Sequence, residues 1–264
     1  MKKTVLFLLA ILNVVAFAQL PNTSKWYTVN NYDEGAWCAN ATQAASGGLL
    51  TLTAAYGSFA CGGHSHIPYD IGMVVSSPFY FQYGTVKAVI KFPGRGVHSV
   101  FWLWGGAPGT SGYPPVCVSS IKHNPAGYMG VCTADANPAY EIDIAEFMPA
   151  SLGLTYIENN AHTWINGSTT AGSVNDPNVG VNLTTGFHTY ELDWTPTKLT
   201  FKLDGKTTST IQQSINVPMF LILDEEIDVN GGKGSYPLQM QVRSVDVWDR
   251  NNNLIFTDHF GSVR

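Results

Sequence analysis

The feature that most constrains the fold is a succession of short apolar runs, each closed by a turn signal. Residues 49–53, 85–92 and 199–203 are rich in Leu, Val, Ile, Phe and Thr, which favour strands. The dipeptide Asp204-Gly205 follows the last run and is typical of a tight hairpin turn. Convincing helical periodicity is lacking after residue 18, and 26 glycines and 14 prolines supply frequent turns. The sequence therefore predicts an all-β sandwich or jelly roll.

The N-terminus has the pattern of a secretory signal peptide. Two lysines follow Met1, an apolar stretch runs from Val5 to Phe17, and residues 16–18 form a small-x-small cleavage site. We expect residues 1–18 to be removed and residues 19–264 to form a single domain. The predicted location is extracellular or periplasmic.

The net charge and the lengths of the apolar runs limit the kinds of partner that the protein can bind. The net charge of −5 argues against nucleic acid and against an anionic membrane surface. No apolar run after the leader approaches the roughly 20 residues of a membrane span. We expect a monomer with no membrane partner.

Four cysteines suit an oxidising compartment. Their order suggests the bridges Cys38–Cys61 and Cys117–Cys132, although four cysteines allow three pairings. No CxxC pair occurs, so the sequence gives little support to a zinc or redox site.

The most unusual segment is residues 140–147, which places three carboxylates in an apolar run. Charged residues make up only 12% of the chain, so this cluster requires an explanation. Glu141 and Asp143 share one face of a strand because side chains alternate. Glu146 would point to the opposite face unless a bulge near Ile144 and Ala145 inserted one extra residue.

Clustered acids raise one another's pKa values, which costs stability but serves catalysis. Two carboxyl groups roughly 5–5.5 Å apart are what a retaining glycosidase uses, one as nucleophile and one as general acid/base. The alternative is an edge strand with a solvated acidic face.

Residues 154–166 alternate in a second informative pattern. Polar and aromatic side chains occupy one face and small or apolar ones the other. Beside the acidic strand, the first face would help to line a cleft; the alternative is an ordinary solvent-facing side. The residues of that face that we expect to contact a substrate are Glu158, Asn160, His162 and Trp164.

Three further motifs are ambiguous. Trp102 and Trp104 share one strand face and could stack on sugar rings, although core packing is the commoner role. The pair His64 and His66 could ligate a metal but is more typical of an exposed loop. Residues 224–228 form the densest acidic run, which could bind calcium but is more typical of a solvated loop.

Taken in order, these motifs resemble glycoside hydrolase family 16, the laminarinase- and lichenase-like β-jelly-roll enzymes. Residues 141–146 match the family's E-x-D-x-x-E signature in its bulged form, and residues 187–196 resemble its FHTYxxxWTP stretch. Residues 83–91 and 100–103 resemble YGxxxAxIK and AFWL. The resemblance runs from about Gly72 to Trp248.

The resemblance implies a jelly roll of two antiparallel sheets with a concave substrate cleft. It also implies a retaining endo-glycosidase of β-linked polysaccharides, with β-1,3- or β-1,3-1,4-glucan as the expected substrate. By position, Glu141 would be the nucleophile, Glu146 the general acid/base and Asp143 the residue that tunes both. We expect Glu146 to have a raised pKa because a second carboxylate lies nearby.

Two departures from the family pattern concern the substrate and calcium. His98 stands where many β-1,3-glucanases have an aromatic residue, so we count it among the substrate-contacting residues. Arg243 occupies the position of an acidic residue that helps many members to bind calcium. We expect no metal-binding residues and no required cofactor; a structural calcium ion stays an alternative that Arg243 disfavours.

Two other functions remain open at this stage. A transglycosylase would share the covalent intermediate and pass it to a sugar. A non-catalytic β-glucan-binding protein could have the same fold, although binding alone does not need three acids.

Overall fold

A computed structural model describes residues 25–28, 30–33, 37–40, 43–61, 64–76, 79–106, 138–165, 168–228 and 236–260. These residues form strands and connecting turns, with no helix among them. The strands are β1 (Tyr27–Thr28), β2 (Asn30–Asp33), β3 (Trp37–Asn40), β4 (Gln43–Ser46), β5 (Leu49–Cys61), β6 (His64–Val75), β7 (Gly84–Lys91), β8 (Val97–Gly106), β9 (Ala139–Phe147), β10 (Glu158–Ile165), β11 (Ser168–Asn175), β12 (His188–Trp194), β13 (Leu199–Leu203), β14 (Lys206–Ile211), β15 (Phe220–Ile227), β16 (Leu238–Trp248) and β17 (Leu254–Asp258).

Two antiparallel sheets contain every described strand except β2 and β3, which pair with each other and, through a parallel ladder from β3, with β6. The first, which we call the site sheet, has the order β1-β6-β15-β8-β9-β10-β11. The second, the supporting sheet, has the order β4-β5-β16-β7-β12-β13-β14, with β17 beside the far half of β16. The predicted all-β sandwich is confirmed.

The main core lies between the two sheets. Along β7 the side chains alternate strictly between buried and half-buried, as expected of a strand with one face on the core. From β8 and β9, Phe101, Leu103, Ile142 and Ile144 enter this core. The opposite face of the site sheet carries a separate apolar cluster that includes Trp102 and Trp104. We call this second side the open face.

The hairpin between β13 and β14 is formed as the sequence predicted. Asp204 and Gly205 both have positive φ, 49° and 79°, which is the backbone of the tight turn that matches strand twist. Asp204 also accepts a hydrogen bond from the backbone N–H of Thr189, at 2.8 Å, which ties the turn to β12.

Several sequence predictions fall outside the described residues. The proposed leader, residues 1–18, lies there, as do Cys117 and Cys132, and the side chains of Cys38 and Cys61 are not described either. The disulfide pairing therefore stays a prediction. Within the described ranges, no helix is long and apolar enough to cross a membrane.

Candidate active site

A bulge in β9 gathers the three acids on the open face. Asp143 lies opposite Trp102 on β8, but Phe101 lies opposite Ala145, so Ile144 is the extra residue. Glu141 and Glu146 lie opposite Trp104 and Val100, two residues away on either side of Trp102. All three acids therefore lie beside residues of one face of β8. The predicted bulge is confirmed.

Strand β10 lies on the other side of β9 and adds its polar face. Glu158, Asn160 and His162 are the register partners of Glu146, Asp143 and Glu141 respectively. The alternation of this strand thus brings its polar side chains beside the acids. The predicted neighbourhood is confirmed, although substrate contact itself stays a prediction.

Glu141 is 6% exposed and makes one short hydrogen bond. Trp164 donates its Nε1–H to Oε2 of Glu141 at 2.6 Å. Burial raises the pKa of Glu141 to about 7, although the bonds from Trp164 and Asp143 act in the opposite direction. The indole therefore orients this carboxylate and stabilises its charge.

Asp143 lies between the other two acids and is 3% exposed. Burial, followed by the charges of Glu141 and Glu146, raises the pKa of Asp143 well above its usual range. A neutral Asp143 can donate a hydrogen bond to Glu141. This bond raises the pKa of Asp143 and lowers the pKa of Glu141. Nε2 of His162 lies 3.7 Å from Oδ2 of Asp143, and burial lowers the pKa of that histidine, which favours a neutral ring.

Glu146 is held by its two neighbouring strands, β8 and β10. Nε2 of His98 lies 2.7 Å from its Oε1, and Asn160 donates Nδ2–H to its Oε2 at 2.9 Å. Burial alone raises the pKa of Glu146, but the hydrogen bond and the positive charge of His98 outweigh it, so the pKa lies below its usual value. The predicted raised pKa of Glu146 is therefore wrong. The cause is a residue 48 positions earlier in the chain.

Glu158, the register partner of Glu146, places a second carboxyl group beside it. Burial and the charge of Glu146 raise the pKa of Glu158 to about 8. Asn160 donates Nδ2–H to Glu158 as well as to Glu146, and so links the two carboxyl groups. A protonated Glu158 is the expected form near neutral pH.

The tryptophans pack against one another on the open face. Trp102 and Trp104 are 5% and 4% exposed, with their rings edge to face at 5.9 Å, and Trp164 lies 6.2 Å from Trp104. Trp102 donates Nε1–H to Oδ2 of Asp224 at 3.0 Å. These contacts leave the first two indoles little exposed surface, so sugar stacking on them stays a prediction.

The acidic run 224–228 is not a solvated loop. Its first four residues belong to β15, where Asp224 and Glu225 are buried and Glu226 is half-buried. Asp224 and Glu226 lie opposite Val100 and His98, on the open face, whereas Glu225 lies opposite Ser99 on the core side. The prediction of a solvated loop is therefore wrong for residues 224–227. High charge density is typical of loops, and the spacing of the acids cannot show that His98 and Trp102 lie beside them.

Three places in the chain bear on metal binding. Within the described ranges, one group has suitable geometry: ligand atoms of Glu141, Asp143 and His162 lie within 4.8 Å of one another. The guanidinium of Arg243 lies 3.7 Å from the ring centre of Phe187, and this side chain has no oxygen to offer calcium. The side chains of His64 and His66 lie outside the described residues.

Sequence reasoning missed Asn159, which points away from the open face. Its Nδ2–H donates to the carbonyl of Ile144, the bulged residue, at 2.8 Å. Its Oδ1 accepts hydrogen bonds from Thr208 at 3.0 Å and Ser209 at 2.8 Å, both on the supporting sheet. The available signal was a lone amide on a face of otherwise small or apolar residues.

Comparison with known proteins supports the sequence resemblance. The family model described as glycosyl hydrolases family 16 matches residues 123–221. A search of curated proteins finds no match.

Solved structures share the fold at low identity. Porphyranase B from Zobellia galactanivorans has a TM-score of 0.66 at 17% identity, over 89% of this chain and 88% of that one. The β-glucanase of Bacillus licheniformis has a TM-score of 0.64 at 22% identity, over 87% and 94%. The laminarinase catalytic domain of Thermotoga maritima has a TM-score of 0.61 at 16% identity, over 86% and 92%.

The β-jelly-roll architecture is therefore confirmed. The resemblance to family 16 that the motifs indicate is confirmed over residues 123–221, where the family model matches.

Proposed function

We propose that the protein is a secreted, retaining endo-glycosidase that hydrolyses internal β-linkages of a polysaccharide. The observation that carries this proposal is the bulge at Ile144, which turns Glu146 to the face that already holds Glu141 and Asp143. Two carboxyl groups on one face are the minimum that double displacement requires. The relationship to the family 16 glycosyl hydrolases supports the class of reaction.

The division of roles follows the family pattern. Glu141 attacks the anomeric carbon, and Trp164 holds its Oε2 for that step. Glu146 protonates the leaving oxygen and later activates water. Asp143, as a neutral acid, stabilises the charge of Glu141 before attack.

Buried polar atoms on the same face suit a hydroxyl-rich ligand. Oδ2 of Asp143, Oδ1 of Asn160 and Nδ1 of His162 are buried and lack a hydrogen-bond partner within the described part of the chain. Buried polar groups are normally paired, so a ligand that supplies donors and acceptors would complete them. Sugar hydroxyl groups do both.

A β-glucan is the substrate class we propose. The similar structures include a β-glucanase and a laminarinase catalytic domain, although a porphyranase is also among them. The linkage we infer is β-1,3 or mixed β-1,3-1,4. Secretion rests on the leader pattern of residues 1–18.

A substrate panel tests the proposal. The wild-type protein is incubated with laminarin, mixed-linkage glucan, agarose, porphyran and carrageenan, and new reducing ends and product sizes are measured. We expect mid-chain cleavage of one or both glucans, whereas products longer than the starting chains would instead indicate transglycosylation.

Two variants complete the test. Glu141→Gln should abolish turnover and retain glycan binding, while Asp193→Asn, a half-exposed acid on the supporting sheet, should keep the wild-type rate. Wild-type hydrolysis by Glu141→Gln would contradict the mechanism, and binding without any cleavage by the wild-type protein would favour a non-catalytic role.

A further inference from the structure

His98 lies between two carboxyl groups from different strands. Its Nε2 is 2.7 Å from Oε1 of Glu146 on β9, and its Nδ1 is 3.3 Å from Oε2 of Glu226 on β15. The side chains of all three are at most one-quarter exposed. The imidazole therefore bridges the outer strand β15 and the strand that carries the acids.

This geometry favours the charged ring. A neutral imidazole has one N–H and one lone-pair nitrogen, so it would turn that lone pair towards one of the two carboxylates. An imidazolium donates a hydrogen bond to both. Charge-assisted bonds of this kind are about twice as strong as neutral ones.

The wider surroundings of His98 are acidic. Burial lowers its pKa, but Glu146 and Glu226 together raise the pKa of His98 well above its usual value. The other titratable groups that act on this histidine or on Glu146 come from β9, β10 and β15: Glu141, Asp143, Glu158, His162 and Glu225. The charges that favour the cation are those of Glu146 and Glu226, since Asp143 and Glu158 are expected to be neutral.

We propose that His98 is a positioning residue for Glu146: an imidazolium, held from behind by Glu226, that fixes Oε1 of Glu146 and keeps this carboxyl group ionised in the sugar-free protein. Its importance for catalysis rests on the proposed glycosidase function. The contact itself does not, because it can be measured without a substrate.

The consequence is an inverted protonation pattern at rest. Glu146 must deliver a proton during catalysis, yet it is ionised in the sugar-free protein. Glu141 must attack as a carboxylate, yet with a pKa of about 7 it is largely protonated in weak acid. Catalysis then proceeds from a minor protonation state of the coupled pair. The activity profile should have an alkaline limb near pH 7, for which Glu141 is responsible, and an acidic limb set by Glu146.

NMR on the whole protein tests the charge directly. In wild-type protein labelled with ¹⁵N-histidine, both ring nitrogens of His98 should be protonated at pH 7. The carboxyl carbon of Glu146, assigned by comparison with Glu146→Gln, should titrate below its ordinary midpoint. A neutral His98 ring at pH 7 would overturn the proposal.

Two variants separate tuning from simple packing. In His98→Gln, the Glu146 midpoint should rise by about 1–3 pH units, the shift that an adjacent opposite charge causes. Glu226→Gln should shift it in the same direction by less, because the ring remains. His259→Gln, which removes a distant histidine 3.3 Å from Asp246, should leave it unchanged.

The kinetic profile gives the second readout. On the glycan that the wild-type protein cleaves, His98→Gln should move the acidic limb to higher pH, whereas a purely structural role would lower the rate equally at every pH.

If the Glu146 midpoint is the same in wild type and both site variants, the proposal is wrong. If His98→Gln does not fold, Glu226→Gln and the wild-type ¹⁵N spectrum decide. Failure of the wild-type protein to cleave any glycan would overturn the proposed function and leave the NMR result standing.

Discussion

Asn159 should contribute both to the stability of the sandwich and to the orientation of Glu146, the proposed general acid. Asn159 is 1% exposed and, besides a 3.3 Å bond to the carbonyl of its chain neighbour Glu158, makes three hydrogen bonds to distant residues. One goes to the bulged Ile144 carbonyl and two come from the hydroxyl groups of Thr208 and Ser209. Asn159→Ala removes all three at once. Each such bond contributes about 1 kcal/mol net, so the free energy of unfolding should fall by about 3 kcal/mol.

The loss is large enough to measure in urea. With a denaturant slope of about 3 kcal/mol per M for a domain of this size, the unfolding midpoint should fall by about 1 M. Tryptophan fluorescence reports the transition, since the chain has 7 tryptophans. As a control, Asn178→Ala removes an exposed amide that accepts one bond from the N–H of Gly180, and its effect should be about 0.5 kcal/mol.

Activity should fall for a separate reason. The bond from Asn159 to Ile144 supports the residue that turns Glu146 to the open face, and a misplacement of about 1 Å can cost roughly 100-fold in rate. The double variant Thr208→Val/Ser209→Ala also destabilises the protein but keeps the bond to Ile144. Asn159→Ala should therefore lose far more kcat than the double variant, with little change in KM.

Two results would refute this reasoning. An unchanged urea midpoint for Asn159→Ala would show that the buried amide contributes nothing to stability. Equal kcat losses in Asn159→Ala and the double variant would show that the bond to the bulge has no role of its own.

Two further predictions concern single hydrogen bonds and buried charge. Trp164→Phe removes the Nε1–H that donates a hydrogen bond to Glu141, and a bond to a charged group contributes about 1.5–3 kcal/mol. The value of kcat/KM should therefore fall about 10- to 100-fold, and the alkaline limb of the pH profile should move to higher pH. An unchanged pH profile would contradict this role. Glu225 is fully buried, and burial raises its pKa well above the usual value, although its contact with Ser99 acts in the opposite direction. Its contribution to stability is then complete below about pH 4.3, the unfolded pKa, and is lost as the pH rises through the folded pKa. The free energy of unfolding of Glu225→Gln minus that of wild type, measured in urea, should therefore be more positive at pH 8 than at pH 4. The same difference at both pH values would count against the assignment.

The fold and the acidic strand were predictable because their signals are local. Alternation within residues 199–203 and the turn at Asp204-Gly205 specify β13 and its hairpin without any distant partner. The bulge was predictable for a different reason: three acids with spacings of two and three can share a face only if one residue is extra. That extra residue is Ile144.

The electrostatics of the site were not predictable, because they depend on strands far apart in the chain. The pKa of Glu146 is lowered by His98 on β8, and that histidine is in turn held by Glu226 on β15. Spacing within one strand cannot show which side chains the next strand presents. The same limit applies to the role of Asn159 and to the strand at residues 224–227, because both depend on side chains that other strands present.

The most direct test of the central claim is the configuration of the first product. Double displacement through Glu141 and Glu146 retains the anomeric configuration. Proton NMR during the first minutes of hydrolysis of the cleaved glucan should show the β-anomer of the new reducing end, followed by slow mutarotation. Initial appearance of the α-anomer would contradict a covalent intermediate on Glu141.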